Sequence, residues 1–110
     1  PGRWQRRMVE VPADSSGTVV CRVDLFGMAR LAAGCKGVDM ALPGGATLAD
    51  AVTSLALACP ELVGKAIVPG EAALIDGYVF NINGVSFVGD LTRSLGTDDN
   101  LLLLSSEAGG

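Results

Sequence analysis

One segment of the chain has the pattern of a long amphipathic helix, and it limits the possible folds more than any other feature. Thr47 and Asp50 have the spacing of a capping box, in which the two side chains accept hydrogen bonds from backbone N–H groups at the helix start. The apolar residues that follow form one stripe, Leu48, Val52, Leu55, Ala56 and Cys59. Pro60 disfavours the helical conformation at Cys59, so we expect the helix to end there and Pro60 to open a short turn.

Segments with the pattern of strands lie on both sides of this helix. Alternation of apolar residues predicts strands at 18–26 and 38–42. Helix-favouring residues predict a short helix at 28–33, which Gly34 closes in the left-handed conformation. Asn83-Gly84 separates the strand-like runs 78–82 and 85–88, which predicts a hairpin with a type I′ turn. The unbroken apolar run 101–104 predicts a central strand with a neighbour on each side.

This order of elements predicts a two-layer α+β domain. One helix covers one face of such a sheet, so the other face is left for solvent or a partner. We expect the domain at 18–106, an extension at 1–17 and a flexible tail at 107–110. The extension is interpreted as flexible or as partly left over from cloning, with Met8 as a candidate start; a native basic arm is the alternative.

Charge and hydropathy exclude several classes of partner. Eight Lys and Arg residues against twelve Asp and Glu give a net charge of −4, and three of the basic residues lie in the first seven positions. An acidic body repels phosphate backbones, which argues against nucleic acid and for a basic protein partner. No apolar run approaches the roughly 20 residues of a membrane span, and the N-terminus lacks the apolar middle of a signal peptide. We therefore expect no membrane association and a cytoplasmic location.

The chain lacks histidine and has three widely spaced cysteines without a CxxC motif. The commonest general base and metal ligand are thus missing, and we expect no bound metal or cofactor. The cysteine pattern favours a reducing compartment over a disulfide scaffold. Cys59 is predicted to be a core residue, Cys35 a surface thiol, and Asp98-Asp99 a solvated turn rather than a metal site.

The chain ends in Glu107-Ala108-Gly109-Gly110. Residues without side chains can thread a narrow channel and adopt any backbone angle. A protein needs such an end when its own terminal carboxylate must reach inside another enzyme. A frayed polar tail is the alternative interpretation.

Four segments in order resemble the MoaD/ThiS family of ubiquitin-like sulfur carriers over residues 18–110: VDLFGMARLAAG, ALPGGATLADAVTSLALACPEL, YVFNINGVSF and LGTDDNLLLLSSEAGG. The resemblance implies the β-grasp fold, a mixed sheet of four to five strands on one main helix, with the last strand parallel to the first in the middle. Thr97-Asp98-Asp99 replaces the usual Asp-Gly-Asp turn, so strain is expected at Asp98. Ser105-Ser106-Glu107 replaces the Pro-Pro of molybdopterin-synthase small subunits, which weakens the assignment to molybdenum cofactor biosynthesis.

The resemblance also implies a function for the chain end. A ubiquitin-activating-type adenylyltransferase would use ATP to adenylate Gly110, while Gly109 provides clearance. A sulfur donor would then convert Gly110 to a thiocarboxylate for a sulfur-accepting synthase or its large subunit, of molybdopterin or thiamine type. The chain would be a carrier or a non-catalytic subunit and not an enzyme. The alternatives are a ubiquitin-like modifier conjugated through Gly110 and a non-covalent β-grasp interaction module.

The uncovered sheet face is the predicted partner interface. If Leu101 and Leu103 point toward the helix, strand alternation aims the two intervening leucines outward. The resemblance favours this parity, because family members keep an apolar contact residue six places before the terminal glycine. The predicted interface residues are Leu102, Leu104, Val85 and Phe87. Soluble monomers seldom leave such a patch without a use, and a dimer partner or the N-terminal segment is the alternative cover.

Overall fold

The computed structural model describes residues 6–9, 19–96 and 99–105, with the backbone alone at 6–9. Six strands and two α-helices lie in this part of the chain. They are β1 (Arg6–Val9), β2 (Val19–Leu25), α1 (Met28–Ala33), β3 (Gly37–Leu42), α2 (Leu48–Ala58), β4 (Tyr78–Ile82), β5 (Ser86–Val88) and β6 (Asn100–Ser105). A 3₁₀ turn at Pro60–Leu62 follows α2, as Pro60 predicted.

The described strands form one mixed sheet in the order β1-β3-β2-β6-β4-β5. Strand β6 lies at its centre, parallel to β2 and antiparallel to β4. The register places Leu103 beside Leu25 on one side and beside Phe80 on the other. This confirms the predicted α+β class and the predicted central position of the last strand.

The sheet has one strand more than the four to five predicted. Strand β1 lies inside the segment assigned as an extension and pairs in parallel with β3, from Arg6 opposite Gly37 to Val9 opposite Met40. Its sequence, RRMV, has no alternation that would predict a strand. Backbone pairing with the edge of a sheet does not require any particular side-chain pattern, which explains why the sequence did not reveal it.

Helix α2 begins and ends where its sequence predicts. The Asp50 N–H donates to Thr47 Oγ1 at 3.3 Å and the Thr47 N–H donates to Asp50 Oδ2 at 2.9 Å, which completes the capping box. At the other end the Cys59 N–H donates to the Leu55 carbonyl at 2.7 Å before Pro60. The buried stripe of α2 packs on one face of the sheet, and together they enclose the core.

The two predicted turns also have the expected backbone. Gly34 closes α1 in the left-handed region, with φ of 73°. Asn83 and Gly84 both have positive φ, 57° and 73°, and the Val85 N–H donates to the Ile82 carbonyl at 3.0 Å. The register pairs Ile82 with Ser86, so Val85 belongs to the turn and not to the strand. No helix in the described part of the chain has the length and apolar character that a membrane crossing requires.

Candidate functional site

The face of the sheet opposite α2 carries a row of four residues across four strands. Leu102 on β6 lies between Asp24 on β2 and Asn81 on β4, and Asn81 lies beside Phe87 on β5. Residues directly opposite each other in neighbouring strands share one face. Leu104 and Val79, two residues further along their strands, form the next pair on the same face. We refer to Val79, Phe87, Leu102 and Leu104 as the sheet-face patch.

The leucines of β6 alternate as the sequence predicted. Leu101 and Leu103 are fully buried on the α2 side, whereas Leu102 and Leu104 are half-buried on the opposite side. Phe87 is 67% exposed on this side, although strand residues of its size usually bury more of their surface. The orientation of the three predicted residues is thus as expected, while their role as an interface stays a prediction.

The sheet-face patch differs from the predicted interface at two residues. Val85 is 81% exposed, but it lies in the hairpin turn outside the strand pairing and is not part of the row. Val79 joins the patch because it pairs with Leu104, and it was not among the predicted interface residues. The sequence carried no signal for this pairing, because the long-range register of β4 on β6 is what aligns Val79 with Leu104.

Asn81 is a buried polar residue at the centre of the row. Its Oδ1 atom is buried and has no hydrogen-bond partner among the described residues. Leaving a buried acceptor unpaired costs about 1–3 kcal/mol. The middle of the sheet face thus carries a buried acceptor to which no described residue donates, and nothing in the sequence indicated this.

Polar groups border the sheet-face patch on the side of β2 and β3. Arg22 Nε lies 3.5 Å from Asp39 Oδ1, and Asn100 Nδ2 donates to Asp24 Oδ2 at 3.3 Å. An apolar centre with a polar rim is the usual arrangement of a protein–protein interface.

A hydrogen-bond network holds the start of β6. The Asn100 N–H donates to Asn83 Oδ1 at 2.8 Å, and Asn83 Nδ2 donates to Asp99 Oδ1 at 3.2 Å. The other carboxylate oxygen of Asp99 accepts from the Gly96 N–H at 2.7 Å. Asp99 therefore has a structural role; Asp98, with the strain predicted there, lies outside the described residues. Across the described ranges, no three Cys, Asp or Glu side chains are grouped so that they could hold a metal ion.

The structure fixes the point from which the tail leaves. Strand β6 ends at Ser105, which pairs with Tyr78 on β4. The Phe26 N–H donates to the Leu103 carbonyl at 3.1 Å, so the segment before α1 lies at the same end of the sheet. Gly109 and Gly110 lie outside the described residues. The five residues after Ser105 span at most roughly 17 Å, which limits the distance of Gly110 from this end.

All three cysteines are buried, and the prediction of a surface thiol at Cys35 is wrong. After Gly34 the chain turns toward the end of α2, which brings Cys35 Sγ to 4.0 Å from Cys59 Sγ. Cys59 is a core residue, as predicted. Burial raises the pKa of Cys21 to about 12, and the Asp99 carboxylate adds to the shift. A thiol with such a pKa stays protonated near neutral pH and is a poor nucleophile.

Comparison with solved structures finds the same architecture in other small proteins. Small archaeal modifier protein 1 from Haloferax volcanii is 26% identical, with a TM-score of 0.71 over 83% of this chain and 99% of that one. Its counterpart from Methanosarcina acetivorans is 25% identical, with a TM-score of 0.63 over 86% of this chain and 100% of that one. The chain has the ubiquitin-like β-grasp fold.

A third neighbour shares this fold at lower identity. A putative molybdopterin converting factor, subunit 1, from Pyrococcus furiosus is 20% identical, with a TM-score of 0.62 over 79% of this chain and 97% of that one. No family model and no curated protein matches the chain. The β-grasp arrangement explains why the last strand, and with it the root of the tail, lies in the middle of the sheet.

Proposed function

We propose that this β-grasp protein is a sulfur carrier that acts through the carboxylate of Gly110. The observation that carries the proposal is the joining of a Gly-Gly chain end to the central strand of a ubiquitin-like fold. Among the neighbours with this fold are proteins described as modifiers and as a molybdopterin converting factor subunit. We expect the chain to act as a cosubstrate of other enzymes and not as a catalyst.

The chemistry requires activation of the carboxylate, because a carboxylate is a poor electrophile until it acquires a leaving group. In the proposed reaction, a Gly110 carboxylate oxygen attacks the α-phosphorus of ATP and pyrophosphate leaves. A hydrosulfide ion supplied by the sulfur donor then attacks the acyl carbon, AMP leaves with the bonding electron pair, and loss of the proton on sulfur gives the thiocarboxylate. The ATP site and the groups that stabilise these transition states belong to the activating enzyme. Gly109 contributes the absence of a Cβ, so that the chain end fits a narrow channel.

The sheet-face patch is the proposed contact surface for these partners. It combines half-buried leucines with an exposed Phe87 beside the buried Asn81 amide. A partner that places an apolar side chain on Leu102 and Leu104 removes this surface from water. The recipient is proposed to be a synthase of the molybdopterin or thiamine type.

A second candidate function is protein modification. Two of the structural neighbours carry the description small archaeal modifier protein. The same activated Gly110 carbonyl would then acylate a lysine amine instead of accepting sulfur. The two functions share the activation step and differ only in the nucleophile that displaces AMP.

Intact-mass measurement tests the proposal directly. The chain is incubated with ATP, the activating enzyme of the same genome and a sulfur donor, and a chain without Gly110 is the control. We expect the full chain to exchange one oxygen for sulfur and the shortened chain to stay unchanged. No mass change with an activating enzyme that is competent toward another carrier contradicts the sulfur-carrier function. Conjugates that depend on Gly110 and resist thiol reductants favour the modifier function.

A further inference from the structure

A second apolar surface lies at the end of the sheet where β6 stops. Helix α1 buries Ala29 and Ala33 against the core but presents Met28 and Leu31 outward, each 62% exposed. Phe26, which precedes the helix, is also exposed. The outward face of a surface helix is normally polar, so two exposed large apolar residues on a helix of six require an explanation.

Met28 and Leu31 border a cavity beside the root of the tail. The cavity has a volume of about 400 Å³ and is lined by Met28, Leu31, Ala32, Lys65 and Tyr78. Tyr78 is also the strand partner of Ser105, the last described residue before the tail. Since the remaining five residues span at most roughly 17 Å, an enzyme that holds Gly110 in its active site must lie close to this cavity.

Two cationic residues flank the apolar surface. Lys65 lines the cavity and is exposed. The guanidinium carbon of Arg30 lies 5.3 Å from the centre of the Phe26 ring, and Arg30 Nε donates to the Leu25 carbonyl at 2.8 Å. The chain as a whole has a net charge of −4, so this cationic rim differs from the average of the molecule. It favours a partner surface with an apolar centre and carboxylates around it.

We propose that Phe26, Met28, Leu31, Ala32, Lys65 and Tyr78, the tail-root surface, form a second docking site for the enzyme that activates Gly110. The enzyme inserts an apolar side chain into the cavity and places a carboxylate near Lys65. This inference rests on the proposed activation of Gly110. Because both the sheet-face patch and the tail-root surface adjoin the end of β6, an enzyme that contacts both restricts the direction in which the tail enters its active site.

Charge substitution on α1 tests this docking site. The variant Met28→Asp/Leu31→Asp removes the apolar contact at positions where the side chains are largely exposed, so the fold is expected to persist. Leu57→Asp is the matched control, because Leu57 is 79% exposed on α2 and does not line this cavity. The rate of ATP–pyrophosphate exchange by the activating enzyme is measured as the carrier concentration is varied. We expect the KM for the double variant to rise about tenfold or more with little change in kcat, as for loss of an interface anchor.

Substitutions of Lys65 test the role of the cationic rim. Lys65→Glu is expected to raise the KM for the carrier, with a larger effect at low ionic strength, because exposed charges are screened by salt. Lys65→Arg keeps the charge and is expected to keep the KM. An equal effect of both substitutions would contradict the assignment of a carboxylate partner to Lys65.

The outcomes separate this inference from the proposed function. If the wild-type chain is activated and the double variant has an unchanged KM, the tail-root surface is not a docking site and the sulfur-carrier function stands. An equal rise in KM for Leu57→Asp also overturns the inference. If the wild-type chain itself is not activated, the proposed function fails first. Circular dichroism verifies folding, and Leu31→Gln, which retains helix propensity, repeats the test if the aspartate variant unfolds.

Discussion

At the scale of single residues, the sheet and α2 determine the chemistry of the thiols. Cys21 lies on the core side of β2, and burial disfavours its charged form more than the nearby Asp99 carboxylate does. The pKa of this thiol rises from 9.0 to about 12. The folded protein therefore keeps Cys21 protonated at pH values where the unfolded chain ionises it.

This difference predicts a loss of stability in alkali. The Cys21 contribution is complete below pH 9.0, the pKa of the thiol in the unfolded chain, and is lost as the pH rises toward about 12. Over this range the free energy of unfolding is expected to fall by up to about 1.4 kcal/mol per pH unit from this group. Urea denaturation at several pH values, compared between the wild type and Cys21→Ala, measures it. The variant is expected to be less stable at neutral pH but to have a flatter alkaline slope, and an equal slope in both would contradict the assignment.

At the scale of elements, the start of α2 depends on a reciprocal pair of hydrogen bonds. Thr47 and Asp50 each accept from the backbone N–H of the other, so two N–H groups at the helix end have partners. Residues three apart at a helix start are brought together by the first turn alone. The capping box therefore forms from local residues, while the N–H groups of Leu48 and Ala49 donate to carbonyls in the distant segment 91–93.

Removing the cap measures this local contribution. Thr47→Ala is expected to lower the free energy of unfolding by about 1 kcal/mol, since an N-terminal N–H loses its acceptor. Thr53→Ala is the control, because the exposed Thr53 hydroxyl donates to the Ala49 carbonyl within the same helix and caps no terminus. Its effect is expected to stay within about 0.5 kcal/mol. Urea denaturation of the two variants distinguishes these values, and equal losses would argue against the capping role.

At the scale of the whole molecule, the two faces of the sheet differ in burial. The inner face carries the buried Leu101 and Leu103 and holds the fold together, and the outer face carries the sheet-face patch. Because α2 covers one face only, substitutions on the other face are expected to change binding more than stability. The tail leaves from the strand that contributes to both faces.

A charged residue in the sheet-face patch tests this division. Leu104→Asp is expected to weaken binding to the activating enzyme or the synthase about tenfold or more, because a carboxylate would be buried without a partner in the complex. Val20→Asp is the control, since Val20 is exposed on β2 and lies before the point where β2 pairs with β6. Isothermal titration calorimetry gives the two dissociation constants, and thermal unfolding verifies that both variants fold. Unchanged binding by Leu104→Asp would exclude the patch as the contact surface.

The sequence by itself determined the features that arise from neighbouring residues. Thr47 with Asp50 predicted the helix start, Gly34 the end of α1, and Asn83-Gly84 the hairpin, and each prediction is confirmed. Strand geometry predicted that Leu101 to Leu104 alternate between the two sides of β6, whereas the choice of the buried side came from the family resemblance and is confirmed. These features depend on backbone preferences and on contacts within a few residues, and the amino-acid sequence contains that information.

Only the tertiary structure decided the features that join distant segments. It buried Cys35 against Cys59, added β1 to the edge of β3, placed Val79 beside Leu104, and set the tail-root cavity between α1, Lys65 and Tyr78. Each of these depends on which strands become neighbours and in which register. Such pairings result from the packing of the whole core, because local preference does not choose among the many distant segments that a strand edge or a helix end can meet.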